Sequence, residues 1–248
     1  MIQKAFFSLV CFTVTLSAFS QKNISKLNIS DAALKMYSFS QERALFKRSS
    51  IQLNLKVMPE GELSGAKYTR LWYPDPSRNP FLNTKMSAYS ASMEFRIYSK
   101  NKPMNSFYWG PWLNLASCKV STGTFNTSFI MPENGAECHF QLQQDYHATL
   151  IGAGLELGLQ KKLSKHFIVD WTILGLGISH LNLKGKLNVK TNEGDLDLRD
   201  LDMKSFDTHC ILEDYFSVEK TINERSISLS AKAWIPMLRM GVAIGFGY

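Results

Sequence analysis

Ser121, His139 and Asp145 place a hydroxyl, an imidazole and a carboxylate within one short stretch of chain. These are the groups that acyl transfer uses as nucleophile, base and orienter. No nucleophile motif surrounds them, so no catalytic residue is assigned. The other histidines, His147, His166, His180 and His209, form no HExxH or related spacing. The acidic run GDLDLRDLD (194–202) invites a calcium reading. It lacks the turn glycine and closing glutamate of such a loop and reads as a solvated acidic segment. Cys118, Cys138 and Cys210 show no C-x-x-C spacing. No metal site and no cofactor is expected.

Charges that alternate with greasy residues are more informative. Lys56, Glu94, Arg96, Glu156, Asp170 and Arg239 each sit within a run whose neighbouring residues are apolar. In an extended strand, alternate side chains point to opposite faces. One face of each run is therefore greasy and the other carries a charge. Glu94, Arg96, Glu156, Asp170 and Arg239 are expected to meet inside a closed sheet, where unpaired charge is costly. Arg96 and Arg239 should each reach a carboxylate.

The elements that would position them repeat with a period of two. Ile51, Leu53, Leu55 and Val57 oppose Gln52, Asn54 and Lys56; Tyr89, Ala91, Met93, Phe95 and Ile97 oppose Ser90, Ser92, Glu94, Arg96 and Tyr98. Ile151 to Leu159 oppose Gly152, Gly154, Glu156, Gly158 and Gln160. In 167–184, Phe167, Val169, Trp171 and Ile173 are expected to share a face with Gly175, Gly177 and Ser179. In 234–248, Trp234, Leu238, Met240, Val242 and Phe246 share a face, with Arg239 on the other.

A soluble sandwich also alternates. Long strands, glycines beside charges and an aromatic chain end favour a transmembrane barrel. The expected fold is all-β: an eight-stranded antiparallel up-and-down transmembrane barrel with long extracellular loops. Short connections fall at 46–48, 100–105 and 163–165, and long ones at 59–84, 122–145 and 185–225. Residues 31–46 must then supply the first hairpin. Trp109, Trp112, Trp171 and Trp234 lie near strand ends, and some should join interfacial girdles.

Composition agrees with a membrane barrel. Of 248 residues, 45% are hydrophobic and 12% aromatic, which excludes a disordered chain. No run of about 20 apolar residues follows residue 20, which excludes a helical membrane bundle. Residues 1–20 combine Lys4, an apolar core and small residues at Ala18 and Ser20. They read as a signal peptide cut between Ser20 and Gln21, and imply an oxidising compartment. Residues 21–30 are expected to be a periplasmic N-terminal segment and 31–248 the barrel. The net charge is +7, or +6 without the leader. It reads as contacts with anionic lipid, not with nucleic acid.

Four segments carry a family resemblance. SQERALFKRSSIQLNLKV (40–57) resembles the YERAL-turn-SVQLGVGY opening of a set of small outer-membrane barrels of unknown function. MEFRIYSKNKPMNSFYWGPWLNL (93–115) resembles its PEFRYYF-GFYVGPYL hairpin. GAGLELGLQKKLSKHFIVDWTILGLG (152–177) and AWIPMLRMGVAIGFGY (233–248) are similar to its later hairpin and its end. The resemblance implies an OmpA-like transmembrane barrel in the outer membrane of a Gram-negative bacterium. It carries no catalytic residues. Phe246 and Tyr248 would be the C-terminal insertion signal offered to the barrel assembly machinery, with Gly247 and Tyr248 replacing a common basic residue and the usual Phe.

The expected function is non-enzymatic: envelope integrity, adhesion or secretion accessory, with a filled lumen and outer-membrane lipid or envelope proteins as partners. The alternative is a lipid-modifying enzyme with a rim His/Ser site at His139 and Ser121. Cys118 and Cys138 would both lie at the outer rim, where a bridge closing their loop would contribute about 3 kcal/mol. Cys210 competes as a partner, and three free thiols are the other outcome.

Overall fold

The structure is a computed structural model; it describes residues 23–33, 35–62, 84–100, 104–130, 137–191, 217–223 and 226–247. The expected cleavage site at Ser20 and Gln21, the terminal Tyr248, His209, Cys210 and the acidic run at 194–202 lie outside these residues.

Ten antiparallel strands make one sheet. They are β1 (Asn23–Asn28), β2 (Tyr37–Phe46), β3 (Ser49–Glu62), β4 (Lys85–Tyr98), β5 (Phe107–Ser121), β6 (Phe125–Ile130), β7 (Glu137–Lys162), β8 (Phe167–Thr191), β9 (Ser217–Asn223) and β10 (Ser226–Gly247). A one-turn helix, α1 (Ile29–Ala33), joins β1 to β2. Nine strands follow one another in the order β1-β2-β3-β4-β5-β7-β8-β10-β9, and β1 also pairs with β10, which closes the sheet into a ring. β9 continues the wall beside the upper part of β10, and β6 does the same beside β7.

Nine strands lie on this path where eight were expected, with β6 off it; β9 pairs with β10 alone, so the circuit that the β1–β10 pairing closes runs through the other eight. Both β6 and β9 fall in segments read as loops, where the exposed edges of the long strands β7 and β10 supply hydrogen-bonding partners. The expected periplasmic segment 21–30 is also corrected: Asn23–Asn28 is the strand that closes the ring. The first hairpin is then β1 and β2, not a pair folded from 31–46.

Asn28 caps α1, with its Oδ1 accepting from the Asp31 backbone N–H at 3.2 Å and from Ser30 Oγ at 2.6 Å. Lys35 then turns the chain back with a φ of 59°. The helix lies against a stretch of β10 whose second edge meets neither β1 nor β9. There Ser30 Oγ accepts the Val242 N–H at 3.3 Å. Pro236, which has no N–H to offer, sits in that same stretch.

Parity along β3, β4, β7 and β10 follows the alternation. Outward residues such as Leu53, Met93, Leu113, Ile151, Leu155 and Leu238 are exposed, and their inward neighbours are buried or half-buried. The parity expected for 167–184 is corrected. Thr172 pairs with Gly158 and Gly241, while Leu174 pairs with Leu157 and Gly175 with Arg239. Ile173 is thus an extra residue in β8, a bulge against both neighbours. Phe167 and Trp171 face out before it; Leu176 and Ile178 face out after it; Gly175 and Ser179 face in.

Trp109, Trp171 and Trp234 stand on the outer wall, whereas Trp112 is buried inside the ring. Trp109, Trp171, Phe107, Phe167 and Phe246 form a girdle near the short-turn end. Tyr37 and Tyr89, both in register with Val57, mark another nearer the opposite end. Phe107 to Ser117, which pairs with Tyr89, covers about 33 Å of strand, or about 25 Å along the axis at a tilt of about 40°.

The expected Cys118–Cys138 bridge is corrected on the register alone. Cys118 pairs with Ala148, and Cys138 pairs with Phe129 of β6. The two cysteines are separated by ten residues of continuous strand β7, about 33 Å. A disulfide requires Cα atoms within about 7 Å, so Cys118 is a free thiol.

Close packing inside the ring depends on glycines. A Cβ on Gly154 would lie 2.2 Å from the Leu176 carbonyl oxygen and 2.6 Å from Trp112 Cζ2, and one on Gly177 would lie 2.4 Å from the Ala153 carbonyl oxygen and 2.5 Å from the same Trp112 atom. Gly154→Val should therefore lower unfolding stability in detergent by about 2 kcal/mol through overpacking. Trp112→Leu in the same chain should recover part of that loss. Urea titration followed by tryptophan emission and heat-modifiable gel mobility checks both; equal effects of Gly154→Val with and without Trp112→Leu would contradict the contact.

Candidate functional site

Every strand of the closed circuit sends a polar or charged side chain to one level of the lumen. β1 supplies Lys26, β2 Glu42, β3 Gln52, β4 Glu94 and Arg96, β5 Tyr108, β7 Glu156 and Gln160, β8 Asp170, and β10 Arg239. Lys26, Glu42, Glu94, Arg96, Glu156, Gln160 and Asp170 are all buried.

Arg96 is the hub. Its Nη1 donates to Asp170 Oδ2 at 2.6 Å, and its Nη2 and Nε donate to Glu94 Oε2 at 2.6 and 3.0 Å. Its Nε lies 3.5 Å from Glu156 Oε1, and its guanidinium lies 4.2 Å from the centroid of the Tyr108 ring. Arg239 donates to Glu94 Oε1 at 2.6 Å, sits 3.4 Å from Glu156 Oε2 and lies over Trp112 at 4.9 Å. The structure thus brings Glu94, Arg96, Glu156, Asp170 and Arg239 into one cluster.

Sequence reasoning missed the other half. Lys26 Nζ bridges Glu42 and Asp170, at 2.5 Å to each, and donates to Gln52 at 2.6 Å. Glu42 also accepts from Tyr98, from Gln160 Nε2 at 3.1 Å and from Ser50. Tyr108 donates to Asp170 Oδ1 at 3.0 Å. The signal for Glu42 was present, because Ser38, Ser40 and Glu42 alternate with Tyr37, Phe39, Gln41 and Arg43. Lys26 lies in a six-residue strand too short to show periodicity. Lys56 sits higher in the barrel, away from the cluster, and pairs with Asp31 of α1 at 2.9 Å.

Four carboxylates face three cations in this cluster. Neither Glu156 oxygen accepts a hydrogen bond from a described group, although both lie beside arginines. The void among Asn54, Glu94, Arg96, Asp170 and Arg239 is only about 30 Å³, room for about one or two waters. Among the described residues, no group of three or more His, Cys, Asp or Glu is placed to hold a metal ion. The arrangement ties strands together and fills the lumen.

Ser121, His139 and Asp145 do not converge. Ser121 donates to Asp145 at 2.5 Å, but the backbone of His139 is six residues farther along β7, about 20 Å away. Ser117 instead contacts His147 Nε2 at 3.0 Å, on the outer wall. His166 stacks on Phe246 at 5.2 Å at the short-turn end.

The sequence profile of a family described as a protein of unknown function, DUF3575, matches residues 5–196. The chain belongs to this family. No curated protein matches the chain. Among solved structures, the crystal structure of Acinetobacter baumannii CarO2 is similar at 13% identity. The match covers 92% of this chain and 97% of that one, with a TM-score of 0.34.

A cluster of this kind tolerates the loss of a partner poorly. Arg96→Met should cost about 3–5 kcal/mol, because Glu94 would keep only Arg239, Asp170 only Lys26, and four buried carboxylates would face two cations. Lys56→Ala, in a partly exposed pair, should cost less than about 1 kcal/mol. Denaturation midpoints of the two variants in the same detergent check this; similar losses would remove Arg96 from the centre of the network.

Proposed function

We propose that the protein is an integral outer-membrane β-barrel of a Gram-negative envelope that acts as a structural or interaction protein. Its lumen is sealed and it is not a channel. The observation that carries this reading is the inversion of polarity across one closed wall. Leu53, Leu113, Ile151, Leu155, Trp234 and Leu238 are each more than half exposed on the outside, while Lys26, Glu42, Glu94, Arg96 and Asp170 are buried within. Water on both sides would penalise the first set, and an apolar interior would penalise the second. A lipid belt outside a polar lumen satisfies both. The girdle spacing of about 25 Å fits a hydrocarbon layer.

Sealing excludes bulk conduction, because ions would have to break several buried pairs to pass. The roles left to such a barrel are at its wall and its outer end: envelope integrity, adhesion or service to a secretion assembly. Outer-membrane lipid and the barrel assembly machinery are its obligatory partners in this reading. The separation of His139 from Ser121 and Asp145 favours a non-enzymatic role over lipid modification.

In cells the protein should be found in the sarkosyl-insoluble envelope fraction and run as a compact band until boiled. Purified and reconstituted into planar bilayers, it should give no single-channel conductance. Recovery from the soluble periplasmic fraction would refute membrane residence, whereas steady conductance would refute only the sealed lumen.

A further inference from the structure

Above the greasy belt, the outer wall changes character along four adjacent strands. The register places Ala91, Leu115, Ile151 and His180 in one outward row across β4, β5, β7 and β8. Two residues further from the short turns, Tyr89, Ser117, Thr149 and Asn182 form the next. The third row is Ser87, Lys119, His147 and Lys184, and the fourth is Lys85, Ser121, Asp145 and Lys186. Successive rows are about 7 Å apart along the strands. Within about 14 Å the wall therefore passes from lipid-facing aliphatics through an aromatic and hydroxyl row to lysines.

These upper rows form a concavity of about 520 Å³, lined by four lysines and two carboxylates, Glu60 and Asp145. Asp145 is engaged by Ser121, and Glu60 lies 3.8 Å from Lys85. Lys119, Lys184 and Lys186 are exposed and have no ion-pair partner among the described residues. Ser87, Ser117, Thr149 and Asn182 lie between or below them.

We infer that this concavity binds the phosphorylated sugar headgroup of an outer-leaflet lipid. The lysines would neutralise the phosphates, and the hydroxyl and amide row would meet sugar hydroxyls. Charge complementarity and height together select this occupant. The patch looks sideways, not into the lumen, and lies where a headgroup would stand if the acyl chains packed on Leu115, Ile151 and Trp234. The bulge at Ile173 is part of the device. It sets β8 in the parity that turns Lys184 and Lys186 outward. The inference rests on the outer-membrane reading of the barrel.

The test uses full-length protein refolded in detergent and, separately, in phosphatidylethanolamine vesicles. Native mass spectrometry would count copies of diphosphoryl lipid A retained by the wild type and by the triple variant K119Q/K184Q/K186Q. Dephosphorylated lipid A and inorganic phosphate serve as comparison ligands. Diphosphoryl lipid should bind the wild type at least about tenfold more tightly than the variant. The triple arginine variant should retain binding. Equal retention by wild type and variant, or equal retention of phosphorylated and dephosphorylated lipid, would overturn the proposal. Inorganic phosphate displacing the lipid at equal concentration would overturn the lipid as occupant. Heat-modifiable insertion into the vesicles is read independently: insertion without selectivity sinks this site alone, and failure to insert sinks the membrane reading as well.

Discussion

A sheet closed to this girth leaves room inside for side chains and little else, and that constraint orders the rest of the molecule. A charge turned inward finds no water to solvate it and must find a partner on another strand. Arg96 satisfies two carboxylates from β4 and β8 at once and approaches a third on β7; Lys26 ties β1 to β2 and β8. Arg96 and Glu94 share β4, but the other pairs join different strands and so fix the register of the strands that carry them. A one-residue slip in any of these strands would turn its charge onto the greasy outer face. The cluster therefore specifies one arrangement of the ring even where its net contribution to stability is small.

The same narrowness explains the glycines. Trp112 can lie across the lumen because Gly154 and Gly177 present no side chain to it, and Tyr108 lies over Gly158 in the same way. Aromatic bulk from β5 is exchanged for absent bulk on β7 and β8. Gly110 shows the complementary case within β5: a Cβ there would lie 1.7 Å from the Phe95 carbonyl oxygen. Beside it Pro111 interrupts the ladder to β4. The wall pinches where the ring packs Arg96 against Tyr108.

Much of this was legible from alternation, and the failures have physical causes. In β4 and β7 a strict period of two exposed both the apolar outer face and the inward charges. β8 broke the pattern at Ile173, since an extra residue reverses parity. A single-period reading mixed Gly175 and Ser179 with Phe167 and Trp171. β1 was invisible because six residues beside an expected leader hold too few alternations to stand out. One of its two edges pairs with β2, but the other pairs with β10, more than two hundred residues away. With β1 went Lys26, and with Lys26 the half of the cluster centred on Glu42. The cysteine pairing failed for a different reason. Strand β7 runs on well past its pairing with β5, so residues near in sequence were carried far apart along one rod.

The seam beside β10 shows how a ring is closed with a strand that is too short. β1 covers β10 only from Ala243 to Gly247, and β9 covers it only from Ser226 to Lys232. Between them β10 would leave backbone donors without partners on a greasy wall. α1 lies against this interval and Ser30 takes up the Val242 N–H. Pro236 removes one donor outright. Lys56 reaches from β3 to Asp31 and holds the helix from the lumen side. The helix and the proline are therefore parts of the wall. The position of Lys56 above the main cluster follows from that duty, because its partner belongs to the seam and not to the plug.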